Sequence, residues 1–209
     1  MRAHGDALPD DFLRKLRELE ESYLSVDDPI RQSGFGGGPE RWKTERGIIL
    51  EAVDQDGDFL DVGCANGYLL ECLVTWAAER EIALTPYGVD FGPRLIELAK
   101  RRLPQYASHF WVANAWDWRP PRRFRYVYGL YDCVPQELFC EYVRRLLERF
   151  VEEDGTLIIG AYGSYGRDEP AWDVASALRD WGFAVAGSAS TGSLPATRIA
   201  WVRAHTAVG

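Results

Sequence analysis

The stretch FLDVGCANGYLLECL, Phe59 to Leu73, constrains the fold more than any other part of this 209-residue chain. An apolar strand pattern runs into a turn holding Gly63 and Gly67, and an apolar helix pattern follows at once. Glycine gives both a tight bend and no side chain in the way, so this turn predicts a backbone wrapped closely around something bulky. The pattern then repeats. YGVD, HFWVANA, RYVYGLY and TLIIGAY read as further strands, and NGYLLECLVTWAAER, PRLIELAKRRL and ELFCEYVRRLLERFVEE as helices after the first, second and fourth strands. Such alternation predicts a parallel sheet covered by helices on both faces. The end of the chain differs: helix AWDVASALRDWG, strand FAVAGSAS, turn-rich TGSLPA and strand TRIAWVRA. Two strands joined without a helix predict an antiparallel hairpin at one sheet edge.

A leader precedes this repeat. Phe12, Leu16, Leu19 and Tyr23 fall on one face of an amphipathic helix, and DDPIRQSGFGGGPE breaks it. That glycine-rich break reads either as a flexible connection or as a lid with Phe35 at its tip. A second helix is expected from Pro39, carrying Trp42, Ile49, Leu50 and Val53 towards the core. The length favours one domain over residues 1–209, divided into an N-terminal lid segment, 1–41, and a core, 42–209.

Charge and composition narrow the function. A formal charge of −8 opposes phosphate backbones unless a basic face is concentrated somewhere. The best cluster, RPPRRFR from Arg119 to Arg125, reads as a solvated edge leading into a strand, with an anionic ligand as the alternative. Cys64, Cys72, Cys133 and Cys140 form no Cys-x-x-Cys pair, and His4, His109 and His205 do not cluster, so no metal site is expected. The N-terminus lacks the apolar core of a signal peptide, and no apolar run approaches a membrane span. A soluble, cytoplasmic protein with free thiols is expected. Oligomeric state is not legible here.

In an open parallel sheet, ligands bind beyond the carboxyl ends of the strands. Those ends hold DVGCANG, Asp90, then Asn114, Ala115 and Trp116, then Gly129 to Asp132. The turn departs from the dinucleotide fingerprint, and no lysine follows Gly67 as a phosphate loop requires. Asp61, just ahead of the turn, would repel a phosphate and suit an ammonium group. Singly, Asp61 also reads as a turn cap, Asp90 as a helix N-cap before Pro93, and Trp116 as core. Cys64 has no histidine partner in sight and is not expected to be a nucleophile.

The segment DVGCANG resembles the first motif of class I S-adenosylmethionine-dependent methyltransferases, with Ala65 where the middle glycine usually stands. YGVDF, ANAWDW, YVYGLYDCVP and EEDGTLIIGAY are similar to the second to fifth motifs, in order, over roughly Asp58 to Tyr162. The leader QSGFGGGPERW resembles that of a group of small bacterial methyltransferases of unsettled substrate. The resemblance implies a Rossmann-like α/β sandwich with a seven-stranded, mostly parallel sheet, an antiparallel C-terminal hairpin and an N-terminal helical lid. It implies S-adenosylmethionine as cofactor and S-adenosylhomocysteine as product. Residue by residue, it implies that Gly63, Cys64, Ala65 and Gly67 lie under the methionine and ribose, with Asp61 facing the amino group. It further implies that Asp90 holds the ribose diol, Phe91 lies on the adenine, Asn114 and Ala115 bond the adenine edge, and Trp116 and Gly129 complete the site.

Methyl transfer from a sulfonium requires excluding water and aiming a nucleophile, with a base needed for a hydroxyl acceptor. Asp132 is the best-placed acid, with Tyr131 beside it, while His109 falls at the opposite end of its strand and reads as structural. The fourth motif lacks the Asn/Asp/Ser-Pro-Pro-aromatic pattern of nucleobase amine methyltransferases. A small-molecule O or N acceptor is therefore expected, with neither nucleic acid nor membrane as partner. Tyr162 and Tyr165, with Tyr23, Phe35 and Trp42 from the leader, are candidates for an aromatic pocket. The alternatives are a methyltransferase of RNA or protein, a non-catalytic cofactor-binding protein, and a nicotinamide oxidoreductase.

Overall fold

Strands alternate with helices from Gly57 onward in the computed structural model, which describes residues 7–164, 169–192 and 196–204. The strands are β1 (Gly57–Val62), β2 (Leu84–Asp90), β3 (Phe110–Val112), β4 (Phe124–Leu130), β5 (Val151–Tyr162), β6 (Val185–Ser190) and β7 (Thr197–Arg203). The helices are α1 (Asp10–Leu24), α2 (Pro39–Gly47), α3 (Tyr68–Ala78), α4 (Pro93–Arg102), α5 (Phe139–Arg149) and α6 (Val174–Asp180).

The seven strands form one sheet in the order β3-β2-β1-β4-β5-β7-β6. From β3 to β5 all pairings are parallel. Strand β7 runs antiparallel between β5 and β6, as the missing crossover helix predicted. The order reverses between β1 and β4, which opens a crevice at their carboxyl ends.

Side-chain alternation divides the core between the two faces. Phe59, Tyr126, Tyr128, Ile158 and Ile199 face α3 and α4, meeting Leu70, Leu73 and Ile96. Leu60, Val62, Val127, Leu157 and Ala200 face α5 and α6, meeting Tyr142, Leu146, Val174 and Leu178. Several element boundaries differ from expectation: α2 ends at Gly47, leaving Ile49 and Leu50 on a 3-10 turn, Ile48–Ala52, and α6 begins only at Val174. Helix α5 stops at Arg149 because Val151 already pairs with Phe124, so VEE belongs to β5. Strand β3 is three residues long, and the Asn114 side chain turns the chain by accepting from the Trp116 N–H at 2.8 Å.

The leader crosses the carboxyl edge of the sheet from one face to the other. Leu8 is buried in the α5 and α6 face, with Phe12 and Leu13 packed against it; Ile30, Phe35 and Trp42 are buried in the opposite one. Phe35 is 6% exposed and meets Trp42 edge-on at 5.4 Å, with the Arg46 guanidinium 4.7 Å from its ring centre. Its ring is therefore part of the core in this structure, where burying a phenylalanine contributes about 1.5–3 kcal/mol.

Helix α2 also buries two charges. Arg46 and Glu45 are 3% and 4% exposed. The Arg46 guanidinium lies 3.5 Å from the Tyr162 ring centre and donates to the Thr197 hydroxyl at 3.3 Å, which in turn donates to Glu45 at 3.3 Å. A cation on an aromatic face with a carboxylate beside it is what makes such burial tolerable.

Candidate functional site

The chain leaves β1 through a turn whose backbone is bent at Gly63 (φ 89°), Ala65 (φ 46°) and Gly67 (φ 74°). The N–H groups of Gly63 and Cys64 both donate to the Val89 carbonyl, at 2.8 and 3.1 Å, which ties the turn to β2. The two glycines serve different ends. Gly63 is exposed and borders an open cavity. A side chain at Gly67 would instead come within 2.9 Å of Ala99 Cβ, so this glycine lets α4 approach the turn.

The cavity lies over the carboxyl ends of β1, β2, β3 and β4, with a volume of about 150 Å3. One water needs roughly 10–15 Å3, so the space is far larger than a single-water site and has room for part of an organic ligand. Its floor is Gly63, Ala65, Asp90, Phe91, Asn114 and Ala115, all expected from sequence. Helix α1 supplies the roof with Leu16, Leu19, Glu20 and Tyr23. No residue of α1 is fully buried, because its apolar stripe covers an opening as well as core. Glu20 pins the roof by accepting the Arg94 N–H at 2.9 Å, where a carboxylate suits the N-terminus of α4.

Asp90 accepts from Ala65 N–H and Gly92 N–H, both at 2.8 Å, and each oxygen keeps a lone pair for a ligand. Gly92 is the N-cap of α4, so Asp90 is not that cap. Asp61 is 3% exposed, and among the described residues no donor reaches its carboxylate. Burial, reinforced by the charge of Asp90, pushes its carboxyl up to about 8. Asp132 is exposed at the cavity mouth, where the groups packed round it raise its carboxyl above the usual range. It also borders an adjacent groove lined by Phe12, Lys15 and Tyr131.

Several expected site residues lie elsewhere. Cys64 packs in the core, where the space over Gly88 receives its sulfur, and burial holds its thiol well above the ordinary range. Trp116 is buried under the Arg145 guanidinium, 3.8 Å from its ring centre. Gly129 makes room for the Tyr142 hydroxyl. Tyr131 faces the groove and Trp172, 5.7 Å away, rather than the cavity. Tyr162 is held inside by the Tyr128 hydroxyl at 2.5 Å, and Trp42 is core; Tyr165 lies outside the described residues. The basic cluster is engaged as well: Arg122 pairs with Asp58 and Glu152, and Arg123 donates to the Glu148 carbonyl. His109 stacks on Tyr87 at 4.1 Å, away from the cavity lining. No cluster of metal-ligating side chains occurs among the described residues, and no helix among them is long and apolar enough to cross a membrane.

Asn66 is the residue that sequence reasoning missed. It is fully buried, and all four of its hydrogen-bonding positions are filled. Its amide nitrogen donates to the Pro29 carbonyl at 3.0 Å and to Gln32 at 3.2 Å. Its oxygen accepts from the Ser33 hydroxyl at 2.9 Å and the Tyr68 N–H at 3.1 Å. The leader segment Gln32–Ser33 is thus tied to the glycine turn, and Ser33 reaches the cavity lining. The signal in the sequence was an amide between two structural glycines.

No protein-family model matches the sequence, and no curated protein matches it. Solved structures do share its fold. Phosphoethanolamine N-methyltransferase 1 of Haemonchus contortus, in complex with phosphoethanolamine and S-adenosylhomocysteine, is 14% identical with a TM-score of 0.73, over 100% of this chain and 52% of that one. DhpI in complex with S-adenosylhomocysteine is 15% identical with a TM-score of 0.65, covering 93% and 97%. A SAM-dependent methyltransferase from Aquifex aeolicus is 18% identical with a TM-score of 0.57, covering 88% and 97%. Strand order, the antiparallel β7 and these superpositions together give this chain the Rossmann-like fold of the S-adenosylmethionine-dependent methyltransferases.

Proposed function

We propose that the chain binds S-adenosylmethionine in the cavity and catalyses transfer of its methyl group to a small-molecule oxygen or nitrogen acceptor, releasing S-adenosylhomocysteine. The observation that carries this reading is the cavity itself, whose charged lining side chains are Glu20, Asp90 and Asp132 with no basic one; Asp61, a buried carboxylate with no partner among the described residues, stands two residues before the lining Gly63. Such a site wants a cationic ligand and repels a pyrophosphate, which weighs against a nicotinamide cofactor. When bound, the cofactor supplies a methyl group on a sulfonium, open to in-line displacement. Asp61 takes its amino group, Asp90 its ribose hydroxyls, Phe91 one adenine face, and Asn114 and the Ala115 N–H the adenine edge. Gly63 leaves the space in which the ligand lies. Asp132 receives the acceptor's proton and passes it to the groove.

The leader's role in this reading falls on α1 alone. Its stripe shields the reacting groups from water, while the 31–42 segment stays fixed through Asn66 and Phe35. Nucleic acid is disfavoured as acceptor, since two arginines of the basic cluster, Arg122 and Arg123, are engaged by carboxylates and backbone carbonyls and the chain carries a net charge of −8.

Thermal melting with S-adenosylhomocysteine against NAD tests the proposal. At 100 times its dissociation constant a specific ligand adds about 2.7 kcal/mol, so the homocysteine compound raises the melting temperature and NAD does not. Equal stabilisation by NAD overturns the cofactor assignment. Asp90→Ala is expected to weaken the binding by roughly 1.5–3 kcal/mol, measured by calorimetry.

A further inference from the structure

Tyr23 ends α1 with its phenol in the cavity roof. Gly34 makes this possible, since a side chain there would overlap the Tyr23 hydroxyl, and its φ of 76° suits glycine. No hydrogen bond to that hydroxyl occurs among the described residues, although the residue is half-buried. Burial first, and then the charges of Asp132 and Asp90, push it up to about 12. It therefore stays a neutral hydroxyl whose oxygen is open to a donor. Asp132 faces the same space from the mouth and continues into the adjacent groove of about 390 Å3.

Resting on the cofactor reading above, we infer that the acceptor is a small primary amine, held by its two N–H groups between the Tyr23 oxygen and the Asp132 carboxylate, with its substituent lying in the groove beside Phe12 and Tyr131. Three features of the site select this class. An amine nitrogen offers two donors besides the lone pair that attacks, matching two acceptors; a hydroxyl offers one. The cavity's charged side chains are all acidic, so a carboxylate or phosphate acceptor meets like charge from Glu20, Asp90 and Asp132. The groove holds Lys15 beside Asp11 and Glu137, which leaves it with no net positive charge to reverse that preference. In the reaction the amine nitrogen bonds to the methyl carbon as the carbon–sulfur bond breaks, its electron pair returning to sulfur. Before that step the acceptor's ammonium form gives one proton to Asp132, and from there to water through the groove, which frees the attacking lone pair; the product leaves as a secondary ammonium. Tyr23 takes the place that the sequence had given to Tyr131.

Butylamine, butyrate and butyl phosphate titrated into the protein loaded with S-adenosylhomocysteine, with binding read by ligand-observed NMR, test this class. Butylamine is expected to bind at least about tenfold tighter than either anion, and Tyr23→Phe to weaken it by roughly 10- to 100-fold, the effect of a hydrogen bond in a charged network. Asp132→Asn should do at least as much. The melting temperature of each ligand-free variant, expected to stay within about 2–4 °C of the parent's, is the control for folding. If butyrate or butyl phosphate binds as tightly as the amine, or if Tyr23→Phe leaves amine binding unchanged, the amine assignment is overturned and the cofactor reading stands. If S-adenosylhomocysteine itself does not bind, both fall.

Discussion

Two glycine-rich segments, Gly63 to Gly67 and Gly34 to Gly38, look alike in sequence and do opposite things. In the turn after β1, Gly63 borders the open cavity, with Cys133 Sγ 3.2 Å from where a side chain would begin, and Gly67 admits α4. In the leader, glycines make room for the chain's own aromatics: Gly34 for Tyr23, and Gly37 for the Phe35 ring, 2.5 Å from where a side chain would begin. Gly34 and Gly37 therefore act as packing sites, while Gly36 and Gly38 face open space. The difference teaches that glycine density marks close approach of some group, and that the approaching group decides the function.

The residue that joins the two segments gives the strongest test. Asn66→Leu removes the donor to the buried Gln32 amide oxygen, an orphaned group that costs about 1–3 kcal/mol, and leaves the Pro29 carbonyl and the Ser33 hydroxyl with only their bond to each other. Urea denaturation is expected to show a loss of roughly 2–4 kcal/mol; a loss under about 1 kcal/mol would mean that the leader is not tied to the turn.

Gly63→Val and Gly67→Val separate the two roles within the turn. Both strain a positive φ, at about 1–3 kcal/mol. Gly67→Val adds a clash with Ala99 and should show the larger fall in melting temperature, whereas Gly63→Val should show the larger fall in S-adenosylhomocysteine affinity. Equal effects on both measurements would erase the distinction.

Asp61 makes the same contrast in charge. Its carboxyl titrates near 8 in the folded chain against an ordinary 3.8. Between those pH values the unfolded chain has lost a proton that the folded chain retains, so stability falls as pH rises through that window and levels off above it. Asp61→Asn should flatten this slope and raise the melting temperature of the ligand-free protein at pH 8 by about 2–4 °C for each kcal/mol recovered. The same variant should bind S-adenosylhomocysteine more weakly. A variant that is less stable at pH 8 would mean that Asp61 has a partner in the free protein.

The smallest effect is expected where a hinge would have given a large one. A side chain at Gly36 meets nothing within 4 Å and its φ is not positive. Gly36→Ala should be neutral or stabilising by about 0.4–1 kcal/mol, with turnover unchanged. Hydrogen exchange complements it: ligand should add protection over Asp10–Leu24 and little over residues 31–42, and the reverse pattern would restore the loop as the lid.

How far the sequence was legible depended on the range of the contacts. Strands β1, β2, β4 and β5 are apolar runs whose meaning is local, and their pairing follows from the crossover helices. Asp90, Phe91, Asn114 and Ala115 were legible because the carboxyl end of a strand is a place defined by the strand itself. Asn66, Gln32 and Ser33 were not, since their bonds join residues 33 to 37 apart and either partner alone looks like an ordinary turn residue. Trp116 and Gly129 sit at strand ends by number but point into the α5 layer, a distinction that depends on where the chain turns after β3 and β4. The apolar stripe of α1 was visible as a stripe, whereas what it covers is set by how the leader crosses the sheet.

The bond between Arg46 and Thr197 spans 151 residues and joins the second helix to the last strand. On a ribosome, Arg46 emerges long before β7 exists, so its charge waits in water or on other partners until nearly the whole chain has been made. The Phe35 packing that depends on that guanidinium waits with it. A product lacking β7 would lose the Thr197 hydroxyl that bridges Arg46 to Glu45 and keep only their direct contact at 3.6 Å and the Tyr162 ring, so the last strand completes the neutralisation of a charge buried by the second helix.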